Sequence, residues 1–117
     1  LSSQLPDADT GKMYYSISEV ASMLKLEAYV LRFWEKEFPQ LRPKKNRAGN
    51  RTYQQKDIEL LLQIKHLLYE KGFTIDGARN YLKDNAKSPE SNNQSEMAKT
   101  LLKEIRAEID DIIKLFP

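Results

Sequence analysis

The 117-residue chain contains no cysteine, a single histidine and a single tryptophan. Without a thiol there is no disulfide framework, thiol nucleophile, zinc finger or iron–sulfur site. One histidine is too few for a His-based metal cluster or a Ser/His/Asp triad, so the metal expectation is none. The four glycines do not form a phosphate-binding loop, and no His-Glu-x-x-His pattern occurs. No apolar run approaches the length of a bilayer span, and the N-terminus has no signal-peptide pattern. Nothing calls for a cofactor, a membrane or an enzymatic reaction. The expected setting is the cytoplasm.

Net charge is also scarce, at +2 from 19 Lys+Arg against 17 Asp+Glu, but its distribution is uneven. Residues 1–11 carry only Asp7 and Asp9. Residues 12–83 hold fourteen bases and eight acids, and residues 84–117 hold five bases and seven acids. A basic block at +6 thus lies between two flanks at −2 each. Within it, Arg42, Lys44, Lys45, Arg47, Arg51 and Lys56 follow one another with no intervening acid. Such a run alone is consistent with a solvated loop, so its neighbours decide its meaning.

Residues 1–13 have no hydrophobic period and read as a flexible leader. The opening Leu1, in place of Met, suggests a trimmed start. Ser16 with Glu19 forms a capping box for a first helix whose apolar stripe is Val20, Ala21 and Leu24, with Ile17 at its entry. Lys25-Leu26-Glu27 is a short break, and a second helix runs from about Ala28 to Phe38, ended by Pro39. Two short helices so closely joined make a helix-turn-helix or a plain αα-hairpin. Ala48 to Tyr53 reads as a turn into an extended stretch, giving a basic hairpin, or wing. A third helix spans about Gln55 to Glu70, with Ile58, Leu61, Leu62 and Leu68 on one face, widened by Leu60, Ile64 and Leu67. Gly72 stops it, and Thr74 caps a fourth helix to about Leu82.

Residues 84–94 are a hinge by composition. Beyond it Ala98, Leu102, Ile105, Ile109, Ile112 and Phe116 recur at alternating steps of four and three, with Leu101 and Ile113 thickening the stripe. This heptad seam over 95–116 predicts a coiled-coil helix packed against a second copy. The alternative is that it folds back onto its own domain. The expected architecture is therefore all-α. It comprises a winged helix-turn-helix domain with four helices and a small basic hairpin wing (14–83), then a C-terminal dimerisation helix.

On a helical wheel, Leu31, Trp34 and Phe38 face inward, while Tyr29, Arg32, Phe33 and Lys36 share the opposite face. Aromatics interleaved with cations suit a helix laid against a duplex. Arg32 can make paired bonds to a guanine edge, Tyr29 can touch a base methyl or a phosphate, and Lys36 suits a phosphate. The competing reading has Phe33 covering the core and Arg32 merely snorkelling. Lys44, Lys45 and Arg47 can neutralise phosphates beside the groove. Arg51 and Tyr53, two apart in an extended stretch, lie on one face. Glu35 and Glu37 point in different directions and make no acid–base pair. His66, within the third helix, reads as a surface or half-buried residue.

These pieces resemble the MerR family of bacterial transcription regulators. The resemblance rests on Tyr15-Ser16-Ile17-Ser18-Glu19-Val20-Ala21, Val30-Leu31-Arg32-Phe33-Trp34-Glu35 and Gly49-Asn50-Arg51-Thr52-Tyr53. It continues through Asp57-Ile58 and Lys71-Gly72-Phe73-Thr74-Ile75. It implies that Arg32 and Tyr29 are major-groove residues, that Arg51 and Tyr53 grip the backbone from the wing, and that Lys71 belongs to a second wing. It also implies an antiparallel coiled coil in a homodimer, with Ala98, Leu101, Leu102, Ile105, Ile109, Ile112 and Phe116 at the dimer interface. The implied partners are double-stranded DNA at a pseudo-palindromic promoter and RNA polymerase, engaged by bending and untwisting a long spacer. This chain departs from the pattern at Lys25 (usually Gly), at Asn50 (often aromatic) and at Phe33 (commonly Tyr). It has neither the cysteines of metal-sensing members nor a large effector domain. That combination fits either a minimal regulator or a chain cut before its sensor. An architectural or excisionase-like winged-helix protein, or a coiled-coil adaptor, is the alternative.

Overall fold

Residues 14–85 and 96–115 are described by a computed structural model. The elements follow as β1 (Tyr15–Ser16), α1 (Ile17–Leu24), α2 (Ala28–Glu37), β2 (Lys44–Lys45) and β3 (Arg51–Tyr53). Then come α3 (Gln55–Lys65), a π-helical turn (His66–Glu70), α4 (Ile75–Asn85) and α5 (Glu96–Lys114). The leader 1–13, the hinge from 86 onward and Phe116 lie outside the described residues.

Local chemistry sets the helix ends. The Ser16 N–H donates to Glu19 Oε1 at 2.9 Å and the Glu19 N–H donates to Ser16 Oγ at 3.1 Å, closing both halves of the capping box. At the other end of α1, Lys25 sits in the left-handed region (φ 58°, ψ 44°) and its N–H reaches back to Ala21 and Ser22 carbonyls. The Lys65 ammonium from α3 donates to the Leu24 carbonyl at 2.8 Å, so the α1 C-terminus is tied into the core across 41 residues. The Gly77 N–H donates to Thr74 Oγ1 at 3.0 Å, the expected cap of α4. That helix runs on through Asn85, past Asp84, where composition alone opens the hinge.

Two features depart from the sequence expectation. The wing is not a lone hairpin: β1 adds to it in a three-stranded antiparallel sheet of order β1-β3-β2, pairing Tyr15 with Tyr53 and Ser16 with Thr52. Two residues at the entry to α1 are too few to register as a strand by periodicity. The third helix also does not stay α-helical to Glu70. Its last turn widens, the Lys71 N–H donating five residues back to His66 O at 2.9 Å, and Gly72 at φ +74° lets the Phe73 N–H close onto Leu67 O.

α3 is the centre of the core. Ile58, Leu61, Leu62, Ile64 and Leu67 are all fully buried, with Leu60 and Leu68 packed at the margin. Around it stand Val20 and Leu24 of α1, Leu31 and Trp34 of α2, Ala78 and Leu82 of α4, and Phe38 and Leu41 of the segment leading to the wing. α5 folds back on α3 within the same chain. Leu101, Ile105 and Ile109 join the core there and Ala98 is buried as well; Ile112, half-exposed, packs at the margin of the core, whereas Leu102 remains half-exposed outside it. Four of the residues expected at a dimer interface are thus already covered, because the broad apolar face of α3 accepts one side of the thickened stripe. Arg106–Glu59 at 3.4 Å and His66–Glu108 at 2.9 Å flank this contact.

Candidate nucleic-acid interface

α2 presents the expected face. Tyr29 and Phe33 are 68% and 49% exposed, and Arg32 and Lys36 lie exposed beside them. Leu31, Trp34 and Phe38 are buried on the other side, so Phe33 is a surface aromatic rather than a core residue. The helix is anchored from behind by Trp34, whose ring stands 6.1 Å from that of Tyr69 on the π-helical turn. Its C-terminus is held from α4, where Arg79 donates to the Glu37 carbonyl at 2.7 Å. Arg79 also pairs with Asp76 on its own helix.

The wing is built by Asn46. Its side-chain oxygen accepts the N–H groups of Ala48 and Asn50, each at 3.0 Å, and its backbone closes the loop through Asn50 O and the Gly49 N–H. Gly49 takes φ +85° at the turn, a conformation a side chain would strain. Thr52 Oγ1 then donates to the Lys44 carbonyl across the ladder at 2.9 Å. The result holds Lys44, Lys45 and Arg47 exposed at the rim and tip.

Arg51 and Tyr53 do share one face of β3, but that face is turned to the protein. Tyr53 is wholly buried, with its hydroxyl unpartnered among the described residues, so the backbone-gripping role expected for it is corrected: it is a core residue. Alternation fixes which residues share a side and leaves undetermined which side is wet. Burial pushes the Tyr53 phenol up to about 12, with the negative charge of Glu35 adding to the shift. Arg51 is half-buried, and its Nε donates to both carboxylate oxygens of Glu35, at 2.9 and 2.7 Å. That bond pushes the guanidinium pKa above its already high ordinary value.

Between the start of α1, the face of α2 and the wing lies an open cleft of about 400 Å³. Arg32 and Arg51 line it together with Tyr14, Ser18, Asn46 and Asn50. The structure thus joins one residue of the helix and one of the wing in a common concavity. Lys36 and Lys71, both exposed, are not part of its lining. Sequence reasoning missed Glu35, Asn46 and Asn50. An acid among cations on the outward helix was the available sign for Glu35, and the Asn-x-x-Gly-Asn spacing was the sign for the wing.

A family model described as MerR HTH family regulatory protein matches residues 15–85, the stretch that holds α1, α2, the wing, α3 and α4. The chain belongs to the MerR family. An uncharacterized HTH-type transcriptional regulator, YyaN, from Bacillus subtilis (strain 168) is 33% identical over 72 residues, covering 62% of this chain and 51% of that protein. A second, slr0701 from Synechocystis sp. (strain ATCC 27184 / PCC 6803 / Kazusa), is 36% identical over 61 residues, covering 52% and 44%. The chain spans about half the length of the curated relatives it matches. No solved structure matches it. MerR membership places the chain among regulatory proteins with a helix-turn-helix domain. Among the described residues no group of three acidic, His or Cys side chains is placed to hold a metal, and no helix is long and apolar enough to cross a membrane.

Proposed function

We propose that the chain binds double-stranded DNA sequence-specifically and regulates transcription as a homodimer on a pseudo-palindromic promoter site. The observation that carries this reading is the outward stripe Tyr29, Arg32, Phe33 and Lys36 on α2, flanked by a wing whose Lys44, Lys45 and Arg47 are all exposed. In this reading α2 enters the major groove, where Arg32 and Tyr29 reach base edges. The wing cations and Lys71 neutralise phosphates on either side. Bending and untwisting of the spacer, so that RNA polymerase meets both promoter elements, is the regulatory step the family relationship suggests. A cytoplasmic protein is implied.

The second copy is met along α5. Support comes from Leu102, a seam residue that stays half-exposed outside the core cluster while Leu101 beside it is buried. Leu102 is thus a described seam position left for a partner. Selection of bound sequences from a random duplex pool tests the whole reading. Recovery of two related half-sites in a two-fold arrangement is expected, and their spacing reports the dimer geometry. Binding of equal strength to every sequence overturns it in favour of an architectural protein.

A further inference from the structure

An acid on a helix face that meets phosphates should weaken binding by simple Coulomb repulsion, yet Glu35 stands on α2 one residue from Lys36 and three from Arg32. Its charge is not left to solvent. Both carboxylate oxygens take the Nε–H of Arg51, which comes from β3 sixteen residues further along the chain. The two terminal nitrogens of the same guanidinium have no partner among the described residues, and Arg51 lines the cleft beside Arg32. An unrestrained arginine has rotamer entropy that must be surrendered when it grips a phosphate. A side chain already held at Nε has surrendered much of it before the duplex arrives.

We infer that Glu35 is a positioning residue for duplex binding: it holds Arg51 at Nε, so that the terminal nitrogens are preset at the cleft as donors to one backbone phosphate. The inference rests on the DNA-binding reading above. The pair also fastens the wing to the recognition helix, so phosphate contact at β3 and base contact from α2 keep one fixed spacing. Neutralisation by Arg51 removes the repulsion that a bare carboxylate would bring. The cation in turn keeps donors free, because Nε alone is used.

The two accounts of Glu35 predict opposite signs. As a mere surface acid, Glu35→Ala should tighten binding. As a positioning residue, its removal should weaken binding. The test uses the full chain and a labelled mixed-sequence duplex, with affinity followed by fluorescence anisotropy over a salt series. Glu35→Ala is expected to bind roughly ten-fold more weakly, with the salt dependence reduced by about one phosphate contact. In an Arg51→Ala background the same change should cause no further loss. Glu35→Gln, which keeps the shape and one acceptor, should fall between wild type and Glu35→Ala, and it decides the matter if circular dichroism shows Glu35→Ala unfolded. Binding at or above wild-type strength in the folded variants overturns the inference. So does a loss that leaves the salt slope unchanged or persists without Arg51, since either would mean a structural role only. Failure of the wild-type chain to bind any duplex overturns the DNA-binding reading itself.

Discussion

His66 Nε2 stands 2.9 Å from Glu108 Oε1, and Nδ1 of the same ring stands 2.8 Å from Glu70 Oε1, so one imidazole joins the π-helical turn to α5. The pair marks the contact more than it stabilises it, because Glu108 is 39% exposed and such pairs contribute under about 1 kcal/mol. The apolar residues beneath do more. Leu101 is buried by the chain's own fold although it lies off the heptad seam, whereas Leu102 lies on the seam and is half-exposed. Leu101→Ala should therefore cost about 2–4 kcal/mol in urea unfolding at any protein concentration. Leu102→Ala should have a smaller effect that grows with protein concentration. If Leu101→Ala matched wild type, α5 would not dock on α3 in solution.

Lys25 takes the left-handed conformation at the end of α1, and among the described residues its side chain makes no hydrogen bond that would offset the strain. A left-handed conformation costs a residue with Cβ roughly 1 kcal/mol, part of which glycine returns through its freer unfolded chain. Lys25→Gly should raise stability by about 0.5–1 kcal/mol, seen as a higher thermal midpoint. Lys25→Val should lower the midpoint, since a β-branched residue tolerates φ 58° least.

How much of this was legible in the residues depended on how local each interaction is. The Ser16–Glu19 box and the Thr74 cap act over three residues, and both are written in the sequence. The inward set Leu31, Trp34 and Phe38 follows from helical period alone. The pairing of Tyr15 with Tyr53 and the Glu35–Arg51 clamp join segments 38 and 16 residues apart, and neither leaves a periodic trace. Tyr53 shows the limit well: strand alternation grouped it with Arg51, but only packing could say that the grouped face looks inward. The side of α5 that docks was ambiguous for a related reason. Leu101 thickens the seam enough that two neighbouring stripes were both apolar, and α3 selected one of them.

The buried Tyr53 hydroxyl predicts a distinctive alkaline behaviour. Below pH 10 the phenol is neutral in both folded and unfolded chains, so its burial contributes in full. Between pH 10 and about 12 the unfolded chain loses a proton that the folded chain keeps, and stability falls with rising pH. The loss attributable to this group approaches about 3 kcal/mol across that window. Tyr53→Phe should abolish that component while remaining as stable as wild type, or slightly more so, at neutral pH, because no hydrogen bond among the described residues is lost and a buried hydroxyl unpartnered among them is removed. Denaturant unfolding of both proteins at pH 7 and at pH 11 checks it. A Tyr53→Phe variant markedly weaker at pH 7 would show that the hydroxyl has a partner after all.

Arg32 and Lys36 sit one helical turn apart on the same exposed face of α2, and the DNA-binding reading gives them different tasks. A guanidinium at a groove-facing position can make two parallel hydrogen bonds to a guanine edge, which an ammonium cannot. Arg32→Ala should therefore lower affinity for the selected site by about 1–3 kcal/mol and relax preference at one base pair in each half-site. Lys36→Ala should weaken selected and scrambled duplexes by the same factor, with a salt slope lower by about one phosphate. Arg32→Lys separates charge from geometry: it keeps the phosphate attraction and should still lose the base preference. Measured against duplexes altered one position at a time, a uniform loss for Arg32→Ala would move this residue from the bases to the backbone. The cleft it shares with Arg51 would then be a phosphate seat alone.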